Sequence, residues 1–324
     1  MKKLVMVTGG VLSVVFLWLA LKDTNFAEIS HAYKNARLWP MVPMLLTLFG
    51  FYWLKAIRWS VLLSPSHSVS GMSLVPAMMA GAAGNNLLPA HFGELVRAYF
   101  AGHKFDIPKS TVLATLVVER LFDVIAVLLL FSIALLAGDY SSHIVATAVF
   151  LLFAGFVLIM ASIFLMLYTE PTARFIEDHF TVVPLSIRQQ VAEQLKNLGM
   201  GLGALKAKNL YLEVMINSIF QWLLMASCLY SALLAFDIPA SPFLGIILLG
   251  LTVAGLTLPT SPGFFGTIEY CFVLGLATIG VDASTALSAA IYYHIPAWIS
   301  VTLAGLLLLR ANNVSLRDPQ VEAV

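Results

Sequence analysis

The chain has 324 residues, of which 60% are hydrophobic and 11% charged, with a formal net charge of +1. A soluble domain carries about 25% charged residues, so this composition excludes an ordinary soluble enzyme and leaves an all-α polytopic membrane protein. The long, non-alternating apolar runs exclude a transmembrane barrel, and no nucleic-acid partner is expected.

Met1-Lys2-Lys3 leads into the apolar run Leu4–Leu21, which lacks a small-x-small cleavage signal and reads as an uncleaved first span. Asp23–Pro40 reads as a short external amphipathic segment, and Met41–Leu63 as the second span. Near the end of that span, Lys55, Arg58 and Trp59 are expected either to snorkel to the interface or to form a basic rim facing lipid headgroups. Met72–Leu88 is apolar and rich in small residues, which lets backbones approach closely. The text that follows, NNLLPAHFGELVR, is where the helix is expected to break, between Leu88 and Gly93. Pro89 removes a backbone donor and disfavours helix at Leu88, and Gly93 loosens the chain further. The segment is therefore read as a re-entrant hairpin returning through Phe92–Gly102.

Thr111–Ala137 is the third span, with Glu119, Arg120 and Asp123 inside it, and Ser142–Tyr168 is a fourth, uncharged one. Residues 170–209 read as a polar, amphipathic cytoplasmic connection. Tyr211–Phe236 is the fifth span and places Glu213, Asn217 and Gln221 on one face. Ser241–Leu258 opens a second hairpin, interrupted at Pro259, Pro262, Gly263 and Gly266. Ala283–Leu309 is the last span, carrying Tyr292, Tyr293 and His294 ahead of an expected kink at Pro296. The count is about six full spans plus two hairpins, in a single transmembrane domain over residues 1–324.

Basic residues favour a cytoplasmic N-terminus, with Lys2, Lys3, Lys104, Lys109, the 170–209 segment and Arg310 inside, and Asp139, Asp237 and Asp282 outside. Three spans then separate the hairpins, so they enter from opposite sides. Oppositely oriented broken elements suggest an inverted repeat with halves at residues 41–168 and 211–309.

Charge at membrane depth costs about 2.5–3.5 kcal/mol per group on insertion scales and demands partners or water. Glu94 and Arg97 are spaced i, i+3 and can pair, as can Arg120 and Asp123. One reading makes Glu119, Arg120 and Asp123 an internal network holding the first hairpin. The other makes them an anion site, with Arg97 or Arg120 as a bidentate phosphate donor and half-helix N-termini adding partial positive charge. Glu94 or Glu269 is then a candidate proton carrier. Asn85, Asn86, His91, Gln221, Tyr293 and His294 complete the candidate substrate-binding set, and Pro89, Gly93, Pro259, Pro262, Gly263 and Gly266 the candidate hinge set. Single histidines read more simply as core or interface groups. No metal-ligand spacing, cofactor motif or GxSxG nucleophile is present, and Cys228 and Cys271 read as small core residues.

KAIRW (55–59), LPAHFGELVR (88–97), ERLFD (119–123) and LPTSPGFFGTIE (258–269), in that order, resemble the transmembrane region of lysylphosphatidylglycerol synthases and its stand-alone flippase-like relatives. The resemblance implies a two-hairpin membrane fold that moves a lipid headgroup between leaflets of a bacterial or archaeal cytoplasmic membrane. It implies translocation without lipid synthesis, since no aminoacyl-transferase domain accompanies it here. Two departures stand out: His91 where an Arg is expected, and Phe264 where a second Gly is expected. The expected substrate is an anionic-headgroup lipid, either a phospholipid or a polyprenyl-phosphate-linked sugar. The alternatives are an embedded enzyme acting on lipid phosphates and a non-transporting partner of a glycosyltransferase or lipid synthase.

Overall fold

The computed structural model describes residues 2–88, 92–138, 142–179, 184–193, 196, 210–239, 241–258 and 260–314, and its regular elements are helical throughout. In chain order they are α1 (Lys2–Leu21), α2 (Phe26–Asn35), α3 (Met41–Leu63), α4 (Gly71–Leu87), α5 (Gly93–Phe105), α6 (Lys109–Leu136) and α7 (Ser142–His179). A short α8 covers residues 185–193. Then come α9 (Tyr211–Leu234), α10 (Pro242–Leu256), a 3-10 turn (Pro262–Phe264), α11 (Thr267–Ala277) and α12 (Ala283–Ala311).

Both expected interruptions are present. α4 stops at Leu87 and α5 starts at Gly93; Pro89 and His91, named above as hinge and site candidates, lie outside the described residues. α10 stops at Leu256 and α11 starts at Thr267, with Pro259 also outside the described residues. At 1.5 Å per residue the four limbs are roughly 16–26 Å long, short of the roughly 30 Å hydrocarbon core. A limb of this length suits half of a hairpin and not a crossing.

Side-chain size decides how tightly the first hairpin closes. A Cβ on Gly93 would lie 1.9 Å from the Gly81 carbonyl oxygen and 2.5 Å from Asn85 Oδ1, so only glycine allows that approach. Asn85 Oδ1 accepts from the Gly93 N–H at 2.8 Å, capping α5 from α4. In the second break, Gly263 (φ 72) and Gly266 (φ 86) take left-handed conformations. Phe264 has φ 63 as well, which gives a physical reason for a glycine to be expected at that position.

α12 serves as a ruler for the two hairpins. Asp282 caps its first turn just beyond the end of α11, and Asn25, Glu28 and Tyr33 around α2 bond Ser284 and Ser288 at the same end. At the other end Asn312 meets Lys104, from the last turn of α5. The open ends of the hairpins thus lie at opposite ends of α12. Their tips meet midway, where Asn86 bonds Thr302 Oγ1 at 3.0 Å and a Cβ on Gly263 would lie 2.7 Å from Trp298 Nε1.

Among the described residues three helices, α3, α9 and α12, are long and apolar enough to cross a membrane, or up to five spans are counted if each of two bent pairs is one. These pairs join α1 to α2 at 77° and bend α7 at 79°, the latter at Tyr168 (φ −130, ψ 33), where the fourth span was expected to end. α6 falls short of an apolar span because Glu119, Arg120 and Asp123 lie within it. α12 runs through Pro296 as one continuous helix. The main apolar core joins α3, α6, α9, α10, α11 and α12 around Met44, Trp222, Leu248, Phe272 and Tyr293.

Candidate functional site

Lys55, Arg58, Trp59 and Leu62 share one buried stripe of α3 at i, i+3, i+4 and i+7. The stripe faces α6, where Glu119 and Asp123, one helical turn apart, present their carboxylates. Arg58 Nη1 donates to Asp123 Oδ1 at 2.7 Å, and Arg58 Nη2 lies 3.2 Å from Glu119 Oε1. Lys55 Nζ sits 3.1 Å from Glu119 Oε1 and 3.9 Å from Asp123 Oδ2. Arg58 is 0% exposed and Glu119 1%. This corrects the expectation of a headgroup rim and equally that of snorkelling. Lys55 and Arg58 turn inward because the opposite charges on α6 are there to receive them, and a buried ion pair needs its partner.

The first hairpin plugs into the same network. Arg97 on α5 donates to Glu119 Oε2 at 2.9 Å, and its guanidinium lies over the Trp59 ring, 3.7 Å from the centroid. Trp59 Nε1 donates to Thr115 Oγ1, which fixes the ring. At the edge Arg120 pairs with Glu94, and Glu94 lies 3.9 Å from Arg97 Nη1. The expected pairing of Arg120 with Asp123 is not formed: Arg120 leans out, its side chain 51% exposed, and takes Glu94 across the helix gap.

α9 closes the far side. Gln221 Nε2 and Trp222 Nε1 each donate to Asp123 Oδ1 at 2.9 Å, and Arg58 Nη1 donates to Ser218 Oγ at 2.8 Å. Gln221 was expected here. Ser218 and Trp222 were missed, although Ser218 stands one turn before both Gln221 and Trp222, at i, i+3 and i, i+4.

Three buried cations, Lys55, Arg58 and Arg97, therefore face two buried carboxylates, Glu119 and Asp123. Arg58 Nε and Arg97 Nε have no acceptor, and Asp123 Oδ2 and Gln221 Oε1 no hydrogen-bond donor, among the described residues. Buried polar atoms of this kind are rare in a settled core.

A second polar centre lies at the second break. His294 Nδ1 is 2.6 Å from Glu269 Oε1, and Nε2 is 2.8 Å from the Gly263 carbonyl oxygen. Glu269 Oε2 accepts from the Gly266 N–H at 2.7 Å. Pro262, Gly263, Gly266, Glu269 and His294 are thus brought together. The other candidates are used elsewhere. Asn85 and Asn86 spend hydrogen bonds on hairpin closure and on α12. Tyr293 joins neither centre: it stacks on Phe272 in the apolar core, its hydroxyl toward Met225 Sδ, because the neighbouring face of α12 looks to α9 and α11 and not to the break.

A cavity of about 730 Å³, lined by Glu28, His31, Phe236, Asp237 and Asp282, opens at the α2 end of α12, away from the charged network. Among the described residues no group of three or more His, Cys, Asp or Glu side chains is placed to hold a metal ion.

Comparison with known proteins shows the family of the chain. A family model described as the lysylphosphatidylglycerol synthase TM region matches residues 6–305. A UPF0104 membrane protein of Methanocaldococcus jannaschii is 26% identical over 245 residues, covering 74% of this chain and 98% of its own length. The glycosyltransferase AglD of Haloferax volcanii is 23% identical, covering 97% of this chain; the match spans 55% of AglD's length. No solved structure matches. The chain belongs to the lysylphosphatidylglycerol synthase transmembrane-region family and is a multi-pass integral membrane protein.

Proposed function

We propose that this member of the family is a lipid translocase, not an enzyme, and that it moves an anionic-headgroup lipid between leaflets. The substrate class is a phospholipid or a polyprenyl-phosphate-linked sugar. The observation that carries the reading is the surplus of one buried cation around Glu119 and Asp123, with two guanidinium Nε–H groups left to donate. A phosphate that displaces Glu119 from Arg97 would take a bidentate hold on that guanidinium and would balance the charge. The headgroup enters between α5 and α6 past the half-exposed Arg120, while its tails stay in lipid. The two hairpins act as the moving parts of an inverted repeat. In support, α3 and α9 pack on each other, α4 packs on α12, and α10 correspondingly on α6. With a cytoplasmic N-terminus, the first hairpin and the charged network open to the cytoplasm.

The test is lipid movement in vesicles holding the purified full chain. Acyl-labelled phosphatidylglycerol should cross on the order of tenfold faster than in protein-free vesicles, and Arg97→Met should remove most of the gain. Covalent turnover of the lipid phosphate would instead make it an enzyme.

The similarity to the glycosyltransferase AglD supports a second reading, a non-transporting partner of a glycosyltransferase. If wild type and Arg97→Met both move lipid at the protein-free rate, that reading replaces the first.

A further inference from the structure

We propose that Glu269 and His294 form a proton-binding site that latches the second hairpin shut. The inference rests on the translocase reading only for its purpose, which is to supply the coupling ion. The site itself follows from atom types. His294 Nδ1 faces a carboxyl oxygen at 2.6 Å and Nε2 faces a backbone carbonyl at 2.8 Å. A neutral imidazole has one N–H and one lone pair, and the Gly263 carbonyl oxygen can only accept. A bare Nδ1 against a bare carboxylate at 2.6 Å would set two lone pairs against each other. The geometry therefore requires one proton beyond those of a carboxylate and a neutral imidazole, carried either by Nδ1 or by Glu269. The Gly266 N–H on Glu269 Oε2 favours the carboxylate–imidazolium form.

The site is buried, with side chains 4% and 5% exposed, and Phe265 covers the imidazole at 4.6 Å between ring centroids. Among the described residues, the other ionisable group facing it is Cys271, behind Glu269 on α11. Tyr52 on α3 and Cys228 on α9 face the neighbouring Tyr293. α4 brings the neutral Asn86 and α1 the Ser13 hydroxyl, while Glu28 on α2 lies near Ser284, about 15 Å further along α12. No second charge therefore stands in for the proton when it leaves.

Once it leaves, one of the two contacts must break. Either Glu269 lets go of α12, or His294 turns and frees Gly263, whose left-handed backbone sits at the tip of the break. Proton occupancy and closure of the second hairpin are thereby the same event.

Hydrogen exchange of the segment 260–268, measured by mass spectrometry on the full chain in lipid nanodiscs, tests this. After correction for the intrinsic pH dependence of exchange, wild type should exchange on the order of tenfold faster at about pH 9 than at about pH 5, while His294→Gln should show no pH dependence. A flat wild-type profile overturns the proposal. Should His294→Gln fail to fold, nitrogen NMR of labelled histidine in the wild type decides instead. At about pH 5 His294 should report two N–H groups or one strong proton shared with Glu269; a neutral ring whose Nδ1 shares no proton with Glu269 overturns the site. These readouts do not involve lipid movement, so a latch that titrates in a protein that moves no lipid would end the translocase reading and leave this one standing.

Discussion

Arg58 pairs with carboxylates on α6 and Arg120 with one on α5, yet the two occupy different physical regimes. Arg58 is fully buried between two carboxylates and a serine, whereas the Arg120 side chain is 51% exposed beside Glu94. Removing one member of a buried pair strands the rest and costs about 3–5 kcal/mol; an exposed pair contributes about 0–1 kcal/mol. Arg58→Met should therefore lower the melting temperature of detergent-solubilised protein strongly, and Arg120→Met hardly at all. Equal losses in a helicity-monitored melt would contradict the network as described. The ionisable residues themselves were legible in the sequence, since charge inside an apolar run calls for an explanation. Their partners were not. Spacing along α6 suggested Arg120 with Asp123, but a long side chain at a helix edge selects the neighbour that the tertiary packing brings near, here Glu94. Lys55 and Arg58 looked like interface residues because they fall near the end of α3 in sequence, and nothing in a single helix shows which face has acidic company.

At the scale of single elements, the two interruptions could be read from proline and glycine, because loss of an N–H and the left-handed backbone are local effects. What closes each break is not local. The first depends on glycine contact: Gly93 against Gly81 and Asn85, with Gly84 next to Gly93. Gly93→Ala forces a Cβ against a backbone oxygen, so it should splay α4 from α5 and cost about 1–3 kcal/mol or more. Gly10→Ala on α1, where a Cβ meets nothing within 4 Å, should stabilise by about 0.5–1 kcal/mol through helix propensity. Thermal melts of the two variants should move in opposite directions, and a Gly93→Ala protein as stable as wild type would show that the hairpin is looser than described. The capping of Gly266 by Glu269 is a local i, i+3 device, but the hold of His294 on Gly263 joins residues 31 positions apart, a pairing no short-range pattern predicts.

The whole molecule shows why oppositely entering hairpins could be expected from a count of apolar runs and basic loops. Each run must cross or return, and each crossing reverses the side. The structure places the two open ends at opposite ends of α12, so His103, exposed on the last turn of α5, and Asp237, exposed beyond α9, should face opposite compartments. Single cysteines at these positions should react with a membrane-impermeant thiol reagent from opposite sides, His103→Cys from the cytoplasmic side. The native Cys228 and Cys271 are buried and should give little background. Labelling of both positions from one side would refute the arrangement. Trp298 then gains a significance beyond packing. Its indole N–H reaches the Asn86 carbonyl oxygen at 3.4 Å, and the same Nε1 edge of the ring lies against Gly263. In the proposed translocase this one indole edge would touch both doors, and swinging one open would leave it resting on the other, a mechanical interlock against a leak through both at once.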